Sequence, residues 1–157
     1  MTRTPLALAA TLTVLLPLTA CSSGPPVYDG RSACGVKTSL VTSALGTDHF
    51  EVGDSSGALP LRLDSPGYRC VTKGKDDARL DVSADLKATD PIDTMPDSAT
   101  PFTYGGGRGV VLPGSAAWSC GKTYVVANVR AASGKPSTDS LNELITALAD
   151  AVGCTGG

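Results

Sequence analysis

The chain has few aromatic residues, a single histidine and no excess of positive charge. Its 157 residues include one Trp, two Phe, four Tyr and one His, and the formal net charge is −2. Surfaces that bind nucleic acid are usually strongly basic, and aromatic side chains supply the platforms on which bases and sugars stack. We therefore expect no nucleic-acid partner. We also expect no cofactor and no bound metal, since the sequence has no C-x-x-C pair and a single histidine.

No apolar run is long enough to cross a bilayer, which takes roughly 20 residues. The one clear apolar run extends from Leu6 to Leu16, follows the positive charge of Arg3, and ends close to Cys21. A short apolar segment behind a basic residue is typical of a signal peptide. An ordinary signal peptide cleaved at a small-residue site would leave Cys21 as a plain thiol.

The four residues Leu18-Thr19-Ala20-Cys21 resemble the lipobox of bacterial lipoproteins. This resemblance implies cleavage before Cys21 and attachment of a diacylglyceryl group, with palmitate as a typical acyl chain, to its sulfur. We expect residues 1–20 to be the signal peptide and residues 21–33 to be a lipidated flexible tether rich in Gly, Ser and Pro. Residues 34–157 would then form one domain, held by the lipid on Cys21 at the extracytoplasmic face of the cell membrane.

Besides Cys21, the chain contains Cys34, Cys70, Cys120 and Cys154. An even number of cysteines in an exported domain predicts two disulfides. A metal site is the competing interpretation, but the sequence has no C-x-x-C pair and only His49 as a further ligand.

Similar spacings favour the pairs Cys34–Cys70 and Cys120–Cys154, each of which joins a predicted helix end to a predicted strand. The arrangement Cys34–Cys154 with Cys70–Cys120 would instead tie helix to helix and strand to strand. The sequence leaves this alternative open.

Hydrophobic periodicity predicts two helices and two groups of three strands. In the first half we predict a helix at 36–45, a polar loop at 47–57, and strands at 59–63, 68–72 and 79–87, with a turn at 65–67. A proline-rich connector at 88–101 follows, and then strands at 110–112, 116–120 and 124–131. The last helix carries an apolar stripe from Leu141 to Val152, with Ser140 and Glu143 as a capping box and Gly153 as its end.

The strand at 79–87 alternates strictly, with Leu80, Val82, Ala84 and Leu86 on one face and polar residues on the other. Such alternation indicates an antiparallel sheet with one buried and one solvated face. The predicted fold class is therefore α+β: one antiparallel sheet with both helices packed on its apolar face, and two disulfides.

The segment Gly53-Asp54-Ser55-Ser56-Gly57 resembles the nucleophile turn of a serine hydrolase. A Ser–His–Asp site needs a base within hydrogen-bond reach of the hydroxyl, and His49 lies in the same predicted loop. A small hydrolase using Ser55 or Ser56 with His49 is thus the alternative function. We do not expect an enzyme, because no rigid scaffold would hold these groups together.

A second loop, Tyr104-Gly105-Gly106-Gly107-Arg108-Gly109, has glycines like those of a phosphate-binding loop. That motif requires a helix start after the loop, whereas a strand is predicted here. We interpret it as a glycine-rich hairpin arm or mobile lip. Since binding residues concentrate on loops, Tyr104 and Arg108 are the candidate binding residues.

The lipobox, the four further cysteines and the pattern Trp118-x-Cys120 followed by a helix ending at Gly153-Cys154 resemble the small envelope lipoproteins of actinobacteria. The resemblance implies an anchored, disulfide-containing domain and supplies no active site. We therefore expect a non-enzymatic binding or interaction module whose partner is an envelope protein or a small ligand.

Overall fold

The computed structural model describes residues 31–64, 66–86 and 91–154. The predicted signal peptide, the lipobox with Cys21, and Ser65 of the predicted turn lie outside these residues. The elements in chain order are β1 (Ser32–Ala33), β2 (Val36–Lys37), α1 (Thr38–Leu45), β3 (Phe50–Ser56), β4 (Tyr68–Gly74), β5 (Arg79–Leu86), β6 (Thr100–Tyr104), β7 (Gly107–Leu112), β8 (Ser115–Cys120), β9 (Thr123–Arg130) and α2 (Thr138–Val152). Short 3₁₀ turns lie at Lys75–Asp77 and Pro91–Thr94.

Seven strands form one antiparallel sheet in the order β3-β4-β5-β9-β8-β7-β6. Helix α2 packs on β7, β8 and β9, and α1 packs on β5 and β9 and against α2. The two-residue strands β1 and β2 pair with each other and contact the helices, so they belong to the helix layer. This arrangement confirms the predicted α+β class.

The core lies between the helices and the sheet. In each element, the apolar residues that recur at the period of that element face this core. Leu80, Val82 and Ala84 of β5 are buried, as their alternation predicts. The apolar stripe of α2 is also buried and comprises Leu141, Leu144, Ile145, Leu148, Ala149 and Val152. Burying one such Leu, Ile or Val side chain stabilises the fold by about 1.5–3 kcal/mol.

Two disulfides attach the helix layer to the sheet. Cys34, between β1 and β2, is bonded to Cys70 of β4, and Cys120 at the end of β8 is bonded to Cys154 beyond α2. The Cα atoms of the two pairs are 5.4 Å and 5.3 Å apart, within the usual range for disulfides. The pairing favoured by the spacing is confirmed, and the alternative pairing is excluded.

The predicted polar loop at 47–57 is wrong in its greater part, because Phe50–Ser56 forms β3. Among the described residues this strand lies at the edge of the sheet and pairs with β4 alone, and it has a register irregularity between Val52 and Ser55. An edge strand with mostly exposed side chains has no need of apolar alternation, so its sequence looks like a loop.

The predicted strand at 59–63 is also wrong, since this segment lies outside the sheet. Leu61 is buried, and its backbone N–H donates to the carbonyl of Val152 at the end of α2, whereas Leu63 is 79% exposed. The alternating leucines therefore do not share a buried face. The segment instead packs against the C-terminal end of α2.

Three smaller differences concern element boundaries. Helix α1 begins at Thr38, because Val36 and Lys37 form β2. Strand β6 (Thr100–Tyr104) was not predicted; it begins in the last two residues of the predicted connector and ends at Tyr104, the first residue of the predicted glycine-rich loop. The predicted capping box of α2 is wrong, since Ser137 is the N-cap and its hydroxyl accepts a hydrogen bond from the backbone N–H of Ser140.

Candidate functional site

The sheet face opposite the helices carries polar side chains on its central strands. The pairing register places eight of them together on β4, β5 and β9: Arg69, Lys73, Arg79, Asp81, Ser83, Asp85, Asn128 and Arg130. We call this surface the polar face. It exists because the apolar residues of β5 and β9 alternate with polar ones, so burial of one set on the helices turns the other set outward.

The remainder of this side of the sheet is partly covered by the turn at Pro91–Thr94. That turn packs on β7 and β8, and Asp93 of the turn accepts a hydrogen bond from Arg108 of β7 at 2.6 Å. Accordingly, Val110 and Ala117 on these strands are buried although they point away from the helices. The polar face is thus bounded on one side by this turn.

Three cations lie directly opposite one another on neighbouring strands of the polar face. Lys73 of β4 pairs with Arg79 of β5, and Arg79 pairs with Arg130 of β9. Directly opposed side chains on one face have Cβ atoms about 4.5–5.5 Å apart, and like charges at such positions are destabilising. We call these three residues the cationic row.

One member of the cationic row is neutralised inside the protein. The guanidinium of Arg79 donates to both carboxylate oxygens of Asp81, at 2.7 Å and 3.0 Å. These hydrogen bonds, together with the charge of Asp81, raise the pKa of Arg79, and the charge of Asp54 on β3 adds to the effect. Within the described part of the chain, the side chains of Arg69 and Arg130 form no hydrogen bond or ion pair.

Two shallow depressions lie beside the Arg79–Asp81 pair. One has a volume of about 370 Å³ and is lined in part by Arg79, Asn128 and Arg130. The other has a volume of about 460 Å³ and is lined in part by Arg69, Arg79 and Asn128. Gly114 also lines the first depression, and Ser83 also lines the second. Each depression therefore has two arginines, the amide of Asn128 and the carboxylate of Asp81 at its surface.

The predicted binding residue Tyr104 lies at the tip of the β6–β7 hairpin, whose two-residue loop Gly105–Gly106 has positive φ values of 57° and 79°. Such a loop is a type I′ turn, which confirms the predicted hairpin arm. The hydroxyl of Tyr104 donates to the carboxylate of Asp150 on α2, at 2.9 Å and 3.0 Å. This hydrogen bond is the main cause of the raised pKa of Tyr104.

The second predicted binding residue, Arg108, points to the opposite side of the sheet. Register pairs Tyr104 with Gly107 and Thr103 with Arg108, so Tyr104 is on the helix side and Arg108 on the side of the polar face. Arg108 contacts Asp93, as described above. The structure does not bring Tyr104 and Arg108 into one site.

The tip of the hairpin is fixed by Trp118, which is buried beneath it. The indole N–H of Trp118 donates to the carbonyl of Tyr104 at 2.9 Å, and a Cβ atom at Gly107 would lie 2.6 Å from the indole ring. Glycine is therefore required at position 107 for this close approach. A small cavity of about 160 Å³ between Tyr104, Trp118 and Cys154 places Trp118 near the second disulfide.

The residues of the hydrolase hypothesis do not meet. His49 lies just before β3, whereas Ser55 and Ser56 lie at the far end of that strand. A rise of about 3.3 Å per residue separates them by roughly 20 Å along the strand, well beyond hydrogen-bond reach. The imidazole Nε2 is instead 3.5 Å from the carboxylate of Asp48, and both side chains are about four-fifths exposed.

The acidic pair Asp76 and Asp77 belongs to the turn between β4 and β5. Both residues have positive φ, 56° and 60°, a region that aspartate adopts more readily than most residues. No group of three or more His, Cys, Asp or Glu side chains in residues 31–64, 66–86 and 91–154 is arranged to hold a metal ion. In the same ranges, neither helix has the length and apolar character that a membrane crossing requires.

The fold and its surface define a disulfide-stapled α+β domain with an arginine-rich sheet face. The disulfides indicate a location outside the cytoplasm, since such bonds persist in oxidising compartments. No protein-family description, curated protein or solved structure matches the chain.

Proposed function

We propose that the protein is a lipid-anchored lipoprotein of the extracytoplasmic face of the cell membrane, and that its domain is a non-enzymatic binding module. The observation that carries the binding part is the polar face, where Arg69 and Arg130 have no hydrogen-bond or ion-pair partner among the residues that the structure describes and lie beside the neutralised Arg79. A charged side chain gains most from a ligand when no group of the protein already satisfies it.

The rigidity of the sheet supports a binding role for this face. The strands that carry the arginines are central in the sheet, and Cys70 on β4 is fixed to the helix layer by a disulfide. Binding residues on rigid strands lose little conformational entropy when a ligand binds. A preformed surface of this kind suits recognition without a chemical step.

The anchor part of the proposal depends on Cys21, which lies outside the described residues. The tether would reach the domain at β1, and β1 and β2 contact the helices. The attachment point is therefore in the helix layer, on the opposite side of the sheet from the polar face. A domain tethered in this way can present the polar face away from the membrane.

The anchor is tested by mass spectrometry of the protein purified from membranes of cells that express the full chain. We expect an N-terminal peptide that begins at Cys21 and carries a diacylglyceryl group. The variant Cys21→Ser should lose the lipid and its cleavage before residue 21, and the control Ser22→Ala should retain both. An unacylated N-terminus in the wild-type protein would refute the anchor.

The binding role is tested in intact cells with a photo-crosslinking amino acid placed at Asn128 on the polar face. Ser39, an exposed residue of α1 in the helix layer, is the matched control position. We expect a reproducible higher-mass adduct from position 128 and none from position 39. Equal adducts from both positions, or none from position 128, would contradict binding through the polar face.

A further inference from the structure

We propose that the polar face is a site for phosphoryl groups, with two binding positions that flank the Arg79–Asp81 pair. The inference rests on the proposed function in one respect, namely that this face is the binding surface. It adds the chemical class of the ligand.

The first argument is the charge that the fold concentrates on β4, β5 and β9. The cationic row spans three strands, roughly 10 Å at a strand spacing of about 4.8 Å, and Arg69 lies about 13 Å along β4 from Lys73. The whole chain, by contrast, has a net charge of −2. Asp81 balances the charge of Arg79, and Lys73 and Arg130 flank it, so an anion beside Arg79 is attracted by more than one cation.

The second argument concerns which of these cations are already balanced by acidic side chains of the protein. Asp81 gives both carboxylate oxygens to Arg79, and Glu51 of the edge strand β3 is directly opposite Lys73. The acids Glu51 and Asp54 thus lie on the β3 side of the polar face. Arg130 and Arg69 form no ion pair in the described residues and, unlike Lys73, have no acid directly opposite them on a neighbouring strand.

The third argument is the composition of the two depressions. Each one is lined by two arginines, Arg79 with Arg130 or Arg79 with Arg69, and both include Asn128. Asp81 also lines both depressions, and its two carboxylate oxygens accept hydrogen bonds from Arg79. The Oδ1 atom of Asn128 accepts a hydrogen bond from the hydroxyl of Ser115 at 3.0 Å, so its NH₂ group remains as a donor. Each depression can therefore donate hydrogen bonds from guanidinium and amide N–H groups to a ligand group that has several acceptor oxygens.

Phosphoryl groups match this donor set better than carboxylates. A phosphate monoester carries about −1.5 to −2 charges at neutral pH and three acceptor oxygens, so it can accept from two guanidinium groups at once. A carboxylate carries one charge and is filled by a single arginine, as Asp81 is by Arg79. Because both depressions are shallow, we expect useful affinity only from a ligand with at least two phosphoryl groups.

The same chemistry is available from a free phosphorylated compound and from a phospholipid headgroup. Experiments on the full-length protein in non-ionic detergent micelles separate the two sources. Nuclear magnetic resonance follows the side-chain signals of Asn128 and of the arginine Nε–H groups during titration with sodium tripolyphosphate, with citrate as the carboxylate comparison. In a parallel arm the micelles contain phosphatidic acid, and phosphatidylcholine is the reference lipid.

We expect tripolyphosphate to shift the Asn128 signal in a saturable manner and to bind more tightly than citrate. Loss of one charge-assisted contact is worth roughly a tenfold change in affinity. Arg130→Gln and Arg69→Gln should therefore weaken binding about tenfold each, whereas Lys37→Gln, which removes one charge from the helix layer, should leave it unchanged. Shifts produced by phosphatidic acid and lost in the same variants would identify the headgroup as the source, and shifts with tripolyphosphate alone would identify a free compound.

Three results would overturn the proposal: equal binding of citrate, equal weakening by Lys37→Gln, or no shift of Asn128 with either phosphoryl source. If an arginine variant does not fold, the wild-type titration at low and high ionic strength and the citrate comparison still decide the matter. If phosphoryl binding fails while the adduct at position 128 persists, the ligand class is wrong and the binding module stands. If both fail, the proposed function fails as well.

Discussion

At the scale of single residues, burial determines the chemistry of Tyr68. This tyrosine begins β4, points into the core, and is paired with Ala84. Burial disfavours the charged phenolate and raises the pKa of Tyr68 from 10 to about 12. A group whose pKa is higher in the folded state stabilises the fold fully below its unfolded pKa, and this contribution disappears as the pH rises through the folded value.

We therefore expect the free energy of unfolding to fall between about pH 10 and pH 12, and we expect Tyr68→Phe to reduce that fall while changing stability little at pH 7. The measurement is the urea midpoint at pH 7 and at pH 11. Tyr104→Phe is the comparison, because Tyr104 is exposed and solvent screens its interaction with Asp150, so its effect should be smaller. An equal pH dependence in the wild type and in Tyr68→Phe would contradict this account.

At the scale of elements, the start of α2 depends on one hydroxyl. The Oγ atom of Ser137 accepts from the backbone N–H of Ser140 at 3.1 Å, and the two hydroxyl groups are 2.8 Å apart. The backbone N–H groups of the first turn lack partners inside the helix, so the cap satisfies a donor that would otherwise require water. Glu143, the residue of the predicted capping box, is exposed and lies in the second turn.

Ser137→Ala should lower the free energy of unfolding by about 1 kcal/mol, the usual cost of removing a serine cap. Glu143→Ala should change it by less than about 0.5 kcal/mol, as is typical of exposed sites. Chemical denaturation of both variants at neutral pH measures the difference. A larger loss for Glu143→Ala than for Ser137→Ala would restore the capping box that the sequence predicted.

Elements with a clear period were predicted from the sequence, and elements without one were not. Strand β5 and helix α2 each bury one face and leave the other in water, so their apolar residues repeat at the period of the element. Strand β3 pairs on one side only and is largely exposed, so no such repeat is required of it. The alternation of Leu59, Leu61 and Leu63 has another cause, since Leu61 fills the end of the helix layer while Leu63 faces solvent.

At the scale of the whole molecule, the two disulfides hold the same two layers together but differ in exposure. Cys34 and Cys70 are both buried, whereas Cys154 is exposed. The bonded residues are 36 and 34 positions apart, so the chain-entropy model assigns the two disulfides nearly equal stabilisation, about 4 kcal/mol each. A difference in their reactivity must therefore come from access of the attacking thiolate.

We expect mild reduction under native conditions to open Cys120–Cys154 before Cys34–Cys70. Alkylation at successive times, followed by peptide mapping, measures the order. The same experiment in denaturant is the control, because both bonds are then equally accessible and should be reduced at similar rates. Earlier alkylation of Cys34 or Cys70 in the native protein would show that the helix layer opens before the end of α2.

The candidate site was predicted only in part. The alternation in β5 already placed Arg79 and Asp81 on a solvated face. The sequence did not show that β5 pairs with β9, which is the contact that aligns Arg79 with Arg130. The predicted residues Tyr104 and Arg108 were chosen for their place in a glycine-rich loop, and the hairpin turns their side chains to opposite faces of the sheet.

The sequence by itself determined the local properties of this protein: the period of its strongest helix and strand, the even set of exported cysteines, and which residues of β5 face water. These follow from side-chain polarity over a few neighbouring positions. Only the tertiary structure decided that β3 forms one edge of the sheet, that β5 lies beside β9, and that Lys73, Arg79 and Arg130 form one row. Those features depend on the pairing of strands that are far apart in the chain. Local sequence is compatible with many such pairings, and the register and the packing of a common core determine which one forms.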